Sequence, residues 1–419
     1  MLELTFLIGF GCIVLLLGTR ARPIMAALLV AYVARAGAAV ISEYVYRLPS
    51  GRADARVFSR HAADLADLPL GIFLTVFDPT NTFSSYGWFV ALCYRVVGTV
   101  ELIPVLINVL FGTLVVFFIY KASRIVWGAK VAVRITWVAA LFPSFIHYSA
   151  VLLREVWIVL PLTIGAYFLV RYLYLGNRPG DAIGAVVFTA LSALFHGAMI
   201  AGVFGLLIYF AYRSVRIFLW EEQVSVGELA AIALLIVVAL PLTTYWAGVG
   251  MQLSSVGDLQ ALAEPEEFYE TVERRTESAT RGGAAYPEAL TIRGPADMTV
   301  KLPPRVVYFL FSPFPWDIRT VRHIIGVADA VFYLLLFYAM YTRWPELRRR
   351  KVLMLCFMIV PLVLAFSLGT SNFGTGIRHR AKIFSVFLVM AGGLLWMKRR
   401  PPRAERTVKR DALSVTSGT

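Results

Sequence analysis

Apolar residues in this chain come in long uninterrupted runs, and that feature bounds the fold before any other. Residues 102–120 and 352–369 contain no charged side chain, and residues 2–18 contain one, Glu3. A helix needs about 20 predominantly apolar residues to cross a bilayer. Inside lipid every backbone N–H and C=O must find a partner within the segment, so such runs read as helices. About eleven spans are predicted: 2–18, 23–41, 102–120, 132–150, 153–172, 182–195, 198–213, 227–247, 322–342, 352–369 and 381–397. The expected fold class is all-α, a polytopic transmembrane helical bundle. Composition agrees: 59% of the 419 residues are apolar and 16% charged, where soluble domains carry about 25% charge. A secreted, nuclear or cytosolic protein is excluded. The first run lacks a basic flank and a small-residue cleavage site, so it reads as a retained helix.

Charge sets the expected orientation. Lys and Arg number 40 and Asp and Glu 26, a net charge of +14. With Arg20 and Arg22 inside and the spans alternating, one side gathers Lys121, Arg124, Lys130 and Arg134, the cluster at 343–351 and the tail after Lys398. That side is strongly basic and the other neutral, which predicts an outer amino terminus and a cytoplasmic carboxyl terminus. The asymmetry accounts for the basic balance without a nucleic-acid partner. Residues 1–397 form one integral membrane domain, and 398–419 a basic, disordered cytoplasmic tail lying against anionic membrane lipids. Cys12, Cys93 and Cys356 lie far apart in apolar stretches and offer neither metal spacing nor a disulfide framework.

The inside segments are too short for a nucleotide-binding domain, and no phosphate-binding glycine loop is present. Chemistry is therefore expected in two large outer segments, about 42–101 and 248–321, or inside the membrane. The first segment reads as two interfacial helices, one from Asp54 to Leu70 with apolar Val57, Leu65 and Leu68, the other over 86–100 with Trp88 and Arg95. Asp78-Pro79-Thr80-Asn81 between them is a turn signal. The second segment reads as a long surface loop with some helix over 265–277. It is followed by a proline-broken elbow, Tyr308 to Asp317.

Five polar features stand near outer helix ends. Asp54 heads the first interfacial helix, as a general base, a metal ligand or a helix cap. Arg154-Glu155 opens the fifth span, and charges there need a partner or water. His196 sits at a turn between two apolar runs. Asn372 and Arg378-His379-Arg380 form a short turn before the last span, against the positive-inside tendency. Two guanidiniums there suit an anion, since Arg offers a planar fork for phosphate. Gly374 and Gly376 would let backbone N–H groups approach it. Trp316, with Asp317 and Arg319, is an interfacial anchor or a substrate contact. Arg35 and Asp329 fall inside spans and are expected to pair or share a cavity.

A transferase on the outer face has no nucleotide donor at hand. Its activated donor must arrive through the bilayer, as a lipid phosphate ester whose leaving group is stabilised by Arg or a metal. Asp54 or Glu155 would take the acceptor proton.

Asp54 with Phe58, Phe142-Pro143-Ser144, Tyr148-Ser149, Arg154-Glu155, Pro313-Phe314-Pro315-Trp316, Asn372-Phe373-Gly374-Thr375 and Arg378-His379-Arg380 together resemble the GT-C superfamily of polytopic glycosyltransferases. The resemblance is to bacterial family 39-like members of cell-surface polysaccharide assembly. It implies a GT-C-like architecture and a bacterial cytoplasmic (inner) membrane. It also implies a polyprenyl-phosphate-linked sugar as donor, a glycan acceptor, Asp54 as the essential acid and Glu155 as its assistant. Arg378 and Arg380 become the phosphate ligands, with Arg154, His379, His196, Asn372 and Trp316 around the substrate. Whether a cofactor is used is left open; if a divalent metal, Mg or Mn, takes part, Asp54 would hold it. The chain departs from the pattern in having two helices before the acidic loop and in flanking Asp54 with Ala53 and Ala55. A polymerase of polyprenyl-pyrophosphate-linked oligosaccharide repeats is the alternative. A transporter or flippase is disfavoured, because no repeated halves or midplane charges are found. Either enzyme needs Asp54 and Arg378 within about 15 Å of one another, the reach of one sugar phosphate.

Overall fold

The computed structural model describes residues 1–49, 54–220, 284–318 and 323–397, with residues 233, 252–253 and 257–258 between them. The span expected at 227–247, apart from residue 233, lies outside the described residues. So do the helix expected over 265–277, Arg319, Arg322 and the tail 398–419.

The described residues are helical almost throughout. Helices α1 (Leu2–Arg20) and α2 (Met25–Tyr44) open it. Three helices follow in the first large segment: α3 (Asp54–Ala66), α4 (Leu70–Thr75) and α5 (Thr82–Val97). Then come α6 (Leu102–Trp127), α7 (Ala129–Ala140), α8 (Pro143–Ser149), α9 (Glu155–Tyr174), α10 (Pro179–Ala193) and α11 (Ile200–Trp220). The last third holds α12 (Pro295–Phe311), α13 (His323–Thr342), α14 (Trp344–Leu347), α15 (Cys356–Gly369) and α16 (Phe373–Ala391). A two-residue ladder pairs Gln252–Leu253 with Gly257–Asp258.

Among the described residues six helical segments are long and apolar enough to cross a membrane, or seven if α7 and α8 count as one. The protein is a multi-pass membrane protein. The straight span expected at 132–150 is instead bent by 58° between α7 and α8. Pro143, first residue of α8, has no N–H to offer the preceding turn, and Phe142 before it is extended. The stretch 182–195 belongs to the shorter α10, and 326–342 of α13 is also shorter than a full span.

Close helix approach brings the chain together around α6 and α9. Gly112 of α6 is one such point: a Cβ there would lie 3.0 Å from Ser149 Cβ and 3.1 Å from Arg35 Nε. Arg35 is fully buried and donates to the carbonyls of Ala31 (3.0 Å), Ala140 (2.9 Å) and Ala139 (3.3 Å). It thus satisfies free carbonyls at the end of α7. The pairing expected between Arg35 and Asp329 does not occur, because α7 already takes the guanidinium. Asp329, also fully buried, lies near Arg380 instead.

The interfacial pair is formed by α3 and α5. The buried face of α3 is Ala55, Phe58 and Ala62, spaced for one helix stripe. Phe58 stacks on Phe83 at 4.6 Å between ring centres and meets the edge of Tyr86 at 4.9 Å. Val57 and Leu70 are exposed, as an interfacial helix allows. Arg95 closes the end of α3 by donating to Ala66 O (2.7 Å) and Leu68 O (2.5 Å). The turn expected at 78–81 is an Asx turn: Asp78 Oδ1 accepts from Thr80 N at 2.8 Å. Asn81 then caps α5 through Phe83 N and Ser84 N, both at 3.1 Å. The elbow expected from Tyr308 begins later. Residues up to Phe311 stay helical in α12, even across Pro303-Pro304, and the chain breaks at Ser312-Pro313.

Candidate functional site

One loop and the starts of α3 and α16 bring the polar residues together. The loop, 150–154, leads into α9. Its carbonyls at Val151 and Leu153 accept from Asn108 Nδ2 (2.9 and 3.0 Å), while Asn108 Oδ1 accepts from Trp157 Nε1 at 2.8 Å. A buried amide in the second turn of α6 thereby holds the loop on both sides, and Arg154 and Glu155 are placed at the mouth of α9. Arg154 Nη1 donates to Thr82 Oγ1 at 2.9 Å, which ties it to the head of α5.

The second contribution is the start of α16. The expected turn over Arg378-His379-Arg380 is in fact helix, because Asn372 caps α16 at this point: its Oδ1 accepts from Gly374 N at 2.8 Å and Thr375 N at 3.4 Å. Phe373 N donates to Ala284 O (2.9 Å) and Gly376 N to Asn372 O (2.8 Å). The backbone N–H groups expected to cradle an anion at Gly374 and Gly376 are therefore already used. Any anion here must be held by side chains.

Helical register decides which side chains those are. Arg378 and Lys382 lie four apart and share a face, whereas Arg380 points elsewhere. Arg378 Nη1 donates to Asp54 Oδ2 at 2.5 Å, and its Nε donates to Glu155 Oε1. One guanidinium thus spans two carboxylates, 324 and 223 residues away in sequence. The expected proximity of Asp54 and Arg378 is direct contact. Glu155 is fully buried behind Arg378, whereas Asp54 is half exposed. Arg380 is fully buried and donates to Leu310 O at 2.8 Å, while its own carbonyl accepts from Tyr333 Oη at 3.0 Å.

These groups border a cavity of about 460 Å³. Asp54, Arg154, Arg378 and Lys382 supply its charge. Val57, Phe58 and Phe83 supply an apolar wall, and His196, His379, Gly369 and Thr375 complete the lining. Lys382 is buried, lies 5.6 Å from the centre of the Phe366 ring and forms no ion pair among the described residues. Its amino group therefore reaches the cavity without a carboxylate partner. The two imidazoles meet edge to face at 5.3 Å. Thr370 Oγ1 stands 2.9 Å from His379 Nδ1 and fixes that ring. Burial, then the charges of Lys382, His379, Arg154 and Arg378, hold His196 well below the ordinary histidine range, so it is neutral near pH 7.

Of the expected site residues, Asp54, Arg154, His196, Arg378 and His379 line the cavity, with Glu155 directly behind Arg378. Arg380, Asn372 and Trp316 do not. Asn372 serves as a cap, and Trp316 is 70% exposed and stacked on Phe314 at 4.9 Å. Lys382 was not among the expected residues. Its signal was its place four residues after Arg378, legible once Asn372 is taken as a helix cap.

The metal expected on Asp54 has a poor donor set. A Mg or Mn ion needs several oxygen ligands. Among the described residues no three His, Cys, Asp or Glu side chains come together. The two carboxylates that do approach are joined by the Arg378 guanidinium, so the described residues do not fit a protein-held divalent ion.

No family model and no curated protein matches the chain. Among solved structures, the chain is similar to the Archaeoglobus fulgidus oligosaccharyltransferase complex with Zn and sulfate, at 13% sequence identity and a TM-score of 0.46. The match covers 87% of this chain and 48% of that one, so the chain spans about half the length of that protein. A likeness this distant establishes no shared activity.

Proposed function

We propose that the protein is a membrane glycosyltransferase of GT-C type that moves a sugar from a polyprenyl-phosphate donor to a glycan acceptor, on the outer face of the cytoplasmic membrane. The observation that carries this reading is the convergence of Arg154, Arg378 and Lys382 with Asp54 on one cavity. Arg154 and Arg378 balance the carboxylates of Asp54 and Glu155, and Lys382, buried without a carboxylate partner among the described residues, gains an anionic partner when a phosphate ester enters. The family resemblance of the motifs points the same way.

The residues divide the work. Arg154, Arg378 and Lys382 hold the phosphate and stabilise the charge it gains as the leaving group. Asp54, half exposed at the cavity, takes the proton of the acceptor hydroxyl. The new bond joins the acceptor oxygen to the anomeric carbon, and the bond from that carbon to the phosphate oxygen breaks. The electron pair leaves with the lipid phosphate. Glu155 stays behind Arg378 and orients it. In the free protein Asp54 is engaged by Arg378, so arrival of the phosphate gives that guanidinium a competing partner and frees the carboxylate for the acceptor. Phe58 and Phe83 offer flat apolar faces to the sugar ring.

The test uses purified full-length protein in nanodiscs with a radiolabelled polyprenyl-phosphate hexose and a panel of glycan acceptors. The expected result is sugar transfer with release of polyprenyl phosphate. Asp54→Asn should lower kcat by roughly 10²- to 10⁴-fold, the usual worth of a general base, with donor KM little changed. A ladder of products from a diphosphate-linked oligosaccharide would move the reading to a polymerase. Unchanged turnover in the Asp54→Asn protein would refute the role given to Asp54.

A further inference from the structure

Outside the cavity, one buried cation is bonded in a way that bulk packing does not require. Arg305 of α12 is fully buried. Its Nε donates to Ser367 O (3.0 Å), Nη1 to Leu290 O (2.7 Å), and Nη2 to Leu368 O (2.9 Å), Thr370 O (2.8 Å) and Ser371 Oγ (3.0 Å). None of these acceptors is a carboxylate. Ser367 and Leu368 lie in the last turn of α15, where carbonyls have no partner within the helix and the helix dipole is negative. A guanidinium answers both needs at once. An ammonium, with three N–H groups, cannot reach five acceptors.

The turn held in this way is part of the cavity wall. Gly369 lines the cavity. Thr370, whose carbonyl is bound by Arg305, presents Oγ1 to His379 Nδ1 at 2.9 Å, and His379 lines the cavity as well. The far side of the same turn receives the segment around Ala284: Tyr286 N donates to Ser371 O at 2.9 Å and Phe373 N to Ala284 O at 2.9 Å. With Leu290 O also on Arg305, one guanidinium joins the 284–290 segment, the end of α15 and the start of α16.

We infer that Arg305 is a positioning residue of the substrate cavity, acting through Thr370 on the His379 ring and through the α15–α16 turn on Arg378 and Lys382. This rests on the transferase reading of the cavity, but part of its test does not need turnover.

Arg305→Lys keeps the charge and loses the fork. The expected result is a folded, monodisperse protein with faster amide exchange confined to residues 368–373 and the 284–290 segment bonded to them, and a kcat/KM lower by on the order of 10²-fold, the effect of a misplaced site. Thr370→Val leaves Arg305 and its carbonyl bonds intact and should lower kcat/KM by itself. If Arg305→Lys does not accumulate, Thr370→Val carries the test. The double variant should be no worse than Arg305→Lys, since both act along one path. Multiplicative losses would overturn the proposal, as would a normal kcat/KM in either single variant. If the wild-type protein transfers no sugar, the transferase reading fails and exchange still decides on Arg305. Unaltered protection at 368–373 in Arg305→Lys sinks the inference whatever the activity.

Discussion

Arg378 and Arg380 sit two residues apart on α16 and have different surroundings. Arg378 faces the cavity and two carboxylates, while Arg380 is buried against Leu310 O and near Asp329. Lys382, one turn beyond Arg378, faces the cavity with no carboxylate partner among the described residues. The contrast yields a paired prediction. Lys382→Met removes a buried polar group that lacks a carboxylate partner, so thermal stability in detergent should hold or rise. Donor KM should climb by about 10- to 100-fold, the worth of one charge-assisted hydrogen bond. Arg380→Leu should do the reverse, lowering the melting temperature and leaving donor KM near wild type. Donor-titrated kinetics beside melting curves of both proteins separate the two roles. The same pair shows what the sequence withheld. Both arginines were legible as unusual outer charges, but read as a turn they were equivalent. Read as a helix from the Asn372 cap, the four-residue spacing selects Arg378 and Lys382 and sets Arg380 aside.

At the scale of the element, α16 is a site helix whose N-terminus is fully bonded. Asn372, the Ala284 carbonyl and the helix's own first turn satisfy its leading N–H groups. Asn372→Ala should cost about 1 kcal/mol of stability, the usual worth of an N-cap. Hydrogen exchange should show the loss at Gly374 and Thr375, with distant helices unchanged. The elements themselves were readable where period and punctuation agree. Asp78 to Asn81 is a turn because both side chains fold back on the backbone, and α3 and α5 follow from apolar spacing and caps. The 132–150 run read as one straight span because hydropathy does not register a bend. Pro143 marks it, but a proline at the first helical position is ordinary in any helix. Helix α12 was obscured for the opposite reason, since Pro303-Pro304 argue against helix locally. The packing of α12 against α15 and the five bonds of Arg305 prevail there.

At the scale of the molecule, apolar run length established a multi-pass helical protein, because lipid leaves the chain few alternatives. The site was legible in its parts but not in its assembly. Asp54, Glu155 and Arg378 each stood out as charges beside apolar runs. That one guanidinium would join both carboxylates depends on how α3, α9 and α16 pack, and local sequence does not encode contacts of that separation. Asn108 shows the same limit: a lone amide in an apolar helix carries no local sign that it holds the Arg154 loop. Transfer from a membrane-borne phosphate ester requires the cavity to open away from the cytosol, where that ester is the available donor. The most direct test replaces Cys12, Cys93 and Cys356 and places a single cysteine at Thr375, an exposed cavity-lining position. Intact cells are then treated with a membrane-impermeant thiol reagent. The account predicts full labelling before permeabilisation, slowed by added polyprenyl-phosphate sugar. Labelling that appears after permeabilisation alone would contradict it.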